Sequence, residues 1–161
     1  MNQGRGVRSS ITLGISLTLL VGLSACASGS GDSGTRNTLD QETGRFAPCP
    51  ESPNCVSTQA DAGDAEHSIS PLTYSGDRAD AKARIVAIVN AMPRTKIVQE
   101  EDDYLHAEFR SRIFRFVDDV EFFFDDANKT IHFRSAARVG YSDMGVNRKR
   151  MTEISQQFNA D

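Results

Sequence analysis

The chain has 161 residues, with 18 basic against 22 acidic side chains, a formal charge of −4 and a sequence pI near 5.4. Without residues 1–25, which hold two arginines and no acid, the balance becomes 16 against 22, or −6. An acidic chain is a poor vehicle for nonspecific nucleic-acid binding, which rests on neutralising phosphates, and about 115 residues after the N-terminal segments suit one domain with one core.

The chain opens with a signal for export. Arg5 and Arg8 make a positive start, residues 11–20 are mostly apolar with Ser16 and Thr18 as mild interruptions, and the run ends in Leu23-Ser24-Ala25-Cys26. Charge, apolar run and small residues in that order are the pattern of a secretory signal. The run is short for a membrane-spanning helix, which needs about 20 residues. A cysteine directly after Leu-Ser-Ala reads as a bacterial lipobox: cleavage before Cys26 would leave it free for acylation, with palmitate or similar chains, on its sulfur and its amine. Several chains, each worth about 0.8 kcal/mol per buried methylene, hold a protein firmly on a bilayer. The expected location is therefore the cell envelope, lipid-anchored. Ala27 rather than Asp after the cysteine would favour the outer membrane in a Gram-negative cell. An ordinary anchor helix, or a signal peptide cut elsewhere, is the alternative.

Residues 27–44 are rich in Ser, Gly, Asp, Thr and Asn and offer little to bury, so residues 26–45 read as a flexible tether and 46–161 as the folded domain. Cys49 and Cys55 remain once Cys26 carries lipid. Export into an oxidising compartment favours a disulfide between them, and closing so small a loop contributes roughly 2 kcal/mol. A redox-active or metal-binding pair is the alternative.

Asp77 is placed to cap a helix, with Asp80 three residues on, and Ala81, Ile85, Ile88, Val89 and Met92 form its apolar stripe until Pro93 stops it. Four strand-like stretches follow. Residues 95–99 are short and half apolar. Residues 104–111 alternate, with Leu105, Ala107 and Phe109 opposed to His106, Glu108 and Arg110. In residues 114–125, alternation groups Phe114, Phe116, Val120, Phe122 and Phe124 and leaves Asp118 as the odd member. That predicts either a buried partner for Asp118 or a bulge at Asp118-Asp119. Residues 130–139 put Ile131, Phe133, Ala137 and Val139 opposite His132, Arg134 and Arg138. The short connections make these strands antiparallel neighbours. Ser142 then caps a second helix with Met144, Met151, Ile154 and Phe158 as its stripe, Asn147 on the same face, and Gly145 marking a close approach of another backbone. The expected fold is α+β: a curved antiparallel sheet of about four strands packed with two helices, in the order α-β-β-β-β-α.

Three segments, Ser52-Pro53-Asn54-Cys55-Val56-Ser57-Thr58, Phe116-Val117-Asp118-Asp119-Val120-Glu121, and Arg134-Ser135 through Arg138-Val139-Gly140-Tyr141-Ser142-Asp143-Met144-Gly145-Val146-Asn147-Arg148, resemble the domain-of-unknown-function family DUF1499. The resemblance runs from about residue 48 to the C-terminus. Ala137 and Met144 depart from the Ser and Leu of the family pattern. The family carries no established activity, so the resemblance implies a fold unit rather than a reaction.

The candidate site is a polar cluster: Asp118, Asp119, Arg134, Arg138, Asp143, Asn147 and Arg148. One reading is structural, with Arg–Asp pairs joining the last strand to the final helix and Asn147 bonding a turn. A second makes Arg134, Arg138, Asp118, Asp119, Asn147 and Arg148 a ligand site, two guanidinium groups holding a small carboxylate or phosphate beside a helix N-terminus. A third uses Asp118 and Asp119 as acid and base of a small hydrolase, although no nucleophile stands beside them. His106, His132 and Glu108 could approach a metal ion, but two strand histidines without a third defined ligand are more simply solvated, and neither metal nor cofactor is expected. His67 is expected to be exposed, and Phe123 to be free for contact with a partner or small ligand. The function that follows is a membrane-anchored envelope lipoprotein. Its domain acts as a noncatalytic binding or structural module for another envelope protein or a small anionic ligand, with the hydrolase as the alternative.

Overall fold

The structure is a computed structural model, and it describes residues 37–160 together with Met1. The lipobox cysteine Cys26 lies outside the described residues.

The strands that alternation predicts are present. β5 (Thr95–Glu100), β6 (Tyr104–Arg110), β7 (Val117–Asp125) and β8 (Thr130–Ala137) form an antiparallel meander. Three further segments extend this architecture beyond the four strands expected. β3 (Cys55–Ser57) and β4 (Leu72–Thr73) share the outer edge of β8, which gives a six-stranded sheet, and β1 (Leu39–Asp40) pairs with β2 (Arg45–Phe46) as a separate ribbon. Two- and three-residue strands are too short to show a period, so nothing in the pattern announces them. Ordered pairing thus begins at Leu39, inside the segment whose composition reads as a tether.

Two helices, α1 (Arg78–Ala91) and α2 (Val146–Asn159), cover one face of the sheet. Between them and the sheet lies the core: Ile85 and Val89 of α1, Met151, Ile154 and Phe158 of α2, and Leu105, Val120, Phe122, Ile131 and Phe133 of the sheet are all buried. α1 starts after Asp77 and ends before Pro93 as expected, although the Asp77 side chain makes no capping bond.

α2 starts later than the sequence suggests. Gly145, at φ 73°, precedes the helix in place of Ser142. Asp143 supplies the cap, accepting the backbone N–H of Gly145 at 2.9 Å and of Asn147 at 2.7 Å. Gly145 is required for its left-handed backbone and not for close packing, since a Cβ there would meet nothing within 4 Å. Met144, expected in the helix stripe, is instead fully exposed before the helix begins.

The other face of the sheet is the polar one. At one end the β1–β2 ribbon lays Leu39 and Phe46 on Tyr104, with Phe123 packed against them. Phe123 is therefore part of a small second core, not a free contact, and its ring stacks on His132. Phe114 and Phe116, which alternation assigns to the main core, precede β7 and are exposed. β8 likewise stops at Ala137 and leaves Val139 in solvent.

Cys49 and Cys55 are bonded to each other. Their loop holds Asn54, whose carbonyl oxygen accepts the backbone N–H of Ala137 at 2.9 Å and the Asn147 side-chain amide at 3.2 Å. The disulfide thus fixes the point where the loop, β8 and α2 meet.

Candidate functional site

Antiparallel register sorts the polar residues into two groups on opposite faces of the sheet. On the face away from the helices, His106, Glu121 and Arg134 stand in one row across β6, β7 and β8; Glu108, Asp119 and Ala136 stand in the next. On the helix face, Asp118 lies between Phe109 and Ala137. There is no bulge at Asp118-Asp119. Strict alternation holds, and Asp118 is buried with a partner.

That partner is Arg150 of α2, at 2.6 Å from Asp118 Oδ2. The same guanidinium donates to Asn147 Oδ1 at 2.6 Å and lies 4.6 Å from the centre of the Phe109 ring. Ser135 Oγ donates to the same Asn147 oxygen. Asn147 is completely buried and joins β8, α2 and the disulfide loop. The strand–helix junction is therefore an ionic and amide network built on Arg150, which the sequence reading did not single out. A signal for it existed: Arg150 lies one turn after Asn147, on the same face of α2, and Asp118 already called for a buried partner.

On the other face Glu108 and Asp119 are directly opposed, an arrangement of like charges that is unfavourable across a strand pair. Arg138 resolves it. Its Nη2 donates to Glu108 Oε1 at 2.7 Å and to Asp119 Oδ1 at 2.7 Å, and its Nε donates to Asp119 Oδ2 at 2.8 Å. His106 Nε2 lies 2.8 Å from Asp119 Oδ1, and Arg110 adds a bond to Glu108 Oε2 at 2.8 Å. Arg138 thus pairs with carboxylates as the sequence suggests, but on the face opposite α2, so it does not fix the final helix.

Burial pushes the Asp119 carboxyl up, but hydrogen bonds from Arg138 and His106 outweigh it and hold the group below its ordinary value. Glu108 is lowered in the same way, burial being overcome by Arg138 and Arg110. The bonds to Asp119 raise Arg138. Asp118 goes the other way: burial raises it, and Arg150 only partly offsets that.

Glu121, fully buried, organises the next row. It accepts from Tyr104 Oη at 2.7 Å, and from the backbone N–H and hydroxyl of Thr38 at 2.6 Å each. Arg134 lies 3.8 Å from it, and desolvation lowers the arginine. Arg134 Nε and His106 Nδ1 are the buried side-chain atoms without a hydrogen-bond partner among the described residues. Asp119 is 4% exposed and Arg134 8% exposed, so these two charged groups are largely withdrawn from solvent.

The remaining candidates stand apart from it. Arg148 donates to the carbonyl oxygens of Ala65 and Glu66, at 3.2 and 2.9 Å, and joins neither group. His67 is buried, not exposed. Its Nδ1 lies 2.7 Å from Asp64 Oδ2, a bond that raises its pKa, and its Nε2 faces the carbonyl oxygen of Ser52 at 3.3 Å. With both nitrogens engaged, the ring is braced rather than poised as a base. His106 and His132 occupy different rows of the polar face. Among the described residues no group of three His, Cys, Asp or Glu side chains is arranged to hold a metal ion.

Residues 45–158 match the family described as "Protein of unknown function (DUF1499)". The chain belongs to the DUF1499 family. The match spans β2 to the last turn of α2 and so takes in both ionic groups. No curated protein matches the chain.

Proposed function

We propose that this DUF1499 chain is a bilayer-anchored envelope lipoprotein whose folded domain is a noncatalytic binding or structural module. The observation that carries the second half is the closure of the polar cluster. Asp118 is committed to Arg150, Asp119 to Arg138 and His106, and Glu121 to Tyr104 and Thr38. A hydrolase needs a carboxylate free to exchange a proton with its substrate. An anion receptor needs guanidinium groups facing solvent. Neither is offered by these residues, and the paired cluster reads as internal bracing of the sheet.

Inorganic phosphate is the direct probe of the competing ligand reading. Calorimetric titration of the purified chain with phosphate is expected to give no saturable heat that depends on Arg138. A heat present in the parent chain, and abolished in a folded Arg138→Ala variant, would overturn the structural assignment.

The first half rests on Leu23-Ser24-Ala25-Cys26. Cys26→Ser is expected to abolish labelling by a fatty-acid probe and either to release the protein from membranes or to block its processing. Unchanged labelling in that variant would remove the lipoprotein reading; outer-membrane placement applies if the cell is Gram-negative.

A further inference from the structure

The large apolar side chains left in solvent are concentrated at one end of the sheet. β6 ends at Arg110, β7 begins at Val117 and β8 ends at Ala137, so the loops 111–116 and 138–145 leave the same end. A backbone bond from Arg138 N–H to the Val117 carbonyl oxygen, 3.0 Å, ties their bases together. One loop carries Ile113, Phe114 and Phe116, with the two phenyl rings stacked 5.5 Å apart; the other carries Tyr141 and Met144. Phe114 is 73% exposed, Tyr141 76% and Met144 95%. Exposing such groups on water-facing loops has no folding benefit, and grouped exposed apolar side chains mark contact surfaces.

The same end is positively charged in an otherwise acidic chain. Arg112 and Arg115 alternate with the apolar residues of the first loop, and Lys149 stands on the first turns of α2; none of the three has an ion-pair partner among the described residues. Arg94, on the α1–β5 turn, lines one groove with Arg112, Val146 and Lys149. Two acids, Asp118 and Glu153, line the same groove; Asp118 is neutralised by Arg150, and Asp143, in the second loop, is occupied by the α2 cap.

We propose that this end of the domain docks on an anionic lipid bilayer, the apolar loop tips entering the interfacial region while Arg112, Arg115 and Lys149 face lipid phosphates. Charge complementarity argues for this occupant. Exposed aromatic and aliphatic side chains on these loops, interleaved with arginine, match the apolar-below, charged-above profile of a membrane interface. The proposal rests on the anchored reading for its strength: a surface held close to the bilayer needs only weak affinity, because tethering supplies an effective concentration on the order of millimolar. The reach is sufficient. Thr38 is bonded to Glu121, which lies four residues along β7 from Val117, about 14 Å. The eleven Cα-to-Cα steps from Cys26 to Asn37 can span up to about 40 Å.

The chain has no tryptophan, which makes single-tryptophan reporters clean. Phe114→Trp places one at the proposed contact; Ala127→Trp places one on the exposed β7–β8 turn at the opposite end of the sheet. Each full chain, with Cys26 and with Cys26→Ser, is mixed with vesicles of phosphatidylglycerol and phosphatidylcholine, or of phosphatidylcholine alone. In the chain with Cys26, emission from the F114W variant should shift to the blue on the anionic vesicles. Brominated lipid should quench it at least twofold more than the A127W variant. Both effects should fall with salt, with phosphatidylcholine alone, and when Arg112→Glu and Arg115→Glu are added. Equal quenching of F114W and A127W, or unchanged F114W emission on anionic vesicles, overturns the proposal and leaves the loops to a protein partner. A failed anchor shows itself separately, as equal vesicle sedimentation of the Cys26 and Cys26→Ser chains.

Discussion

Replacing Asp119 with alanine is expected to lower the unfolding free energy by about 3–5 kcal/mol, the range for breaking a buried pair by removing one partner. The site meets that condition. The Asp119 side chain is 5% exposed and that of Arg138 19%. Without it, Arg138 keeps only Glu108, and His106 loses its bond in a position with no exposure to water. Exposed pairs are worth at most about 1 kcal/mol, so a loss of that size would show that the layer is solvated. Urea unfolding of parent and variant at neutral pH, with unchanged slope, measures the difference.

The pH dependence has a definite sign. Asp119 and Glu108 have folded-state values below their unfolded ones. Their contribution is complete above the unfolded values, about 4, and is lost as pH falls through the folded values. Asp118 is raised, so its term has the opposite sign: it is present below the unfolded value and lost as pH rises through the folded one. The parent should therefore weaken between about pH 4 and lower pH through the first two groups, and Asp119→Ala should weaken less over the same interval.

How much of this the sequence discloses depends on where each residue finds its partner. The β5–β8 meander and both helices are legible because period 2 and period 3.6 report a boundary between core and surroundings. Period 2 also puts Asp118 on the core face and leaves two outcomes, a buried partner or a bulge, of which the structure has the first. It did not identify Arg150, because that contact crosses 32 positions of chain. The opposite face misleads for a related reason. His106, Glu108 and Arg134 alternate with apolar residues as a solvated face would, yet they are buried. Alternation distinguishes apolar from polar sides but not water from a polar layer that satisfies itself. Thr38, far outside the strand, is among the groups that close this layer. Met144 fails through the helix start: Asp143 caps with both carboxylate oxygens, and the left-handed turn at Gly145 moves the first helical residue to Val146.

Arg150→Ala is expected to cost a similar amount at neutral pH, about 3–5 kcal/mol, and to do so in a way that identifies its origin. The substitution leaves the Asp118 carboxylate between Phe109 and Ala137 with its nearest cation removed, and it frees Asn147 Oδ1 from one donor. Asp118 is already raised by burial despite Arg150, so removing the arginine raises it further. The variant then avoids a bare buried charge by taking up a proton. Its deficit relative to the parent should be largest at neutral pH and should shrink as pH falls toward about 5, where that protonation costs less. The double variant Asp118→Leu with Arg150→Met removes both charges and fills the space; replacement of a buried pair by apolar residues is often neutral or stabilising, so it should recover most of the loss. Urea unfolding of the three chains at both pH values decides the matter. A deficit that stays constant with pH, and that the double variant does not relieve, would trace the loss to the stacking of Arg150 on Phe109 and not to the stranded carboxylate.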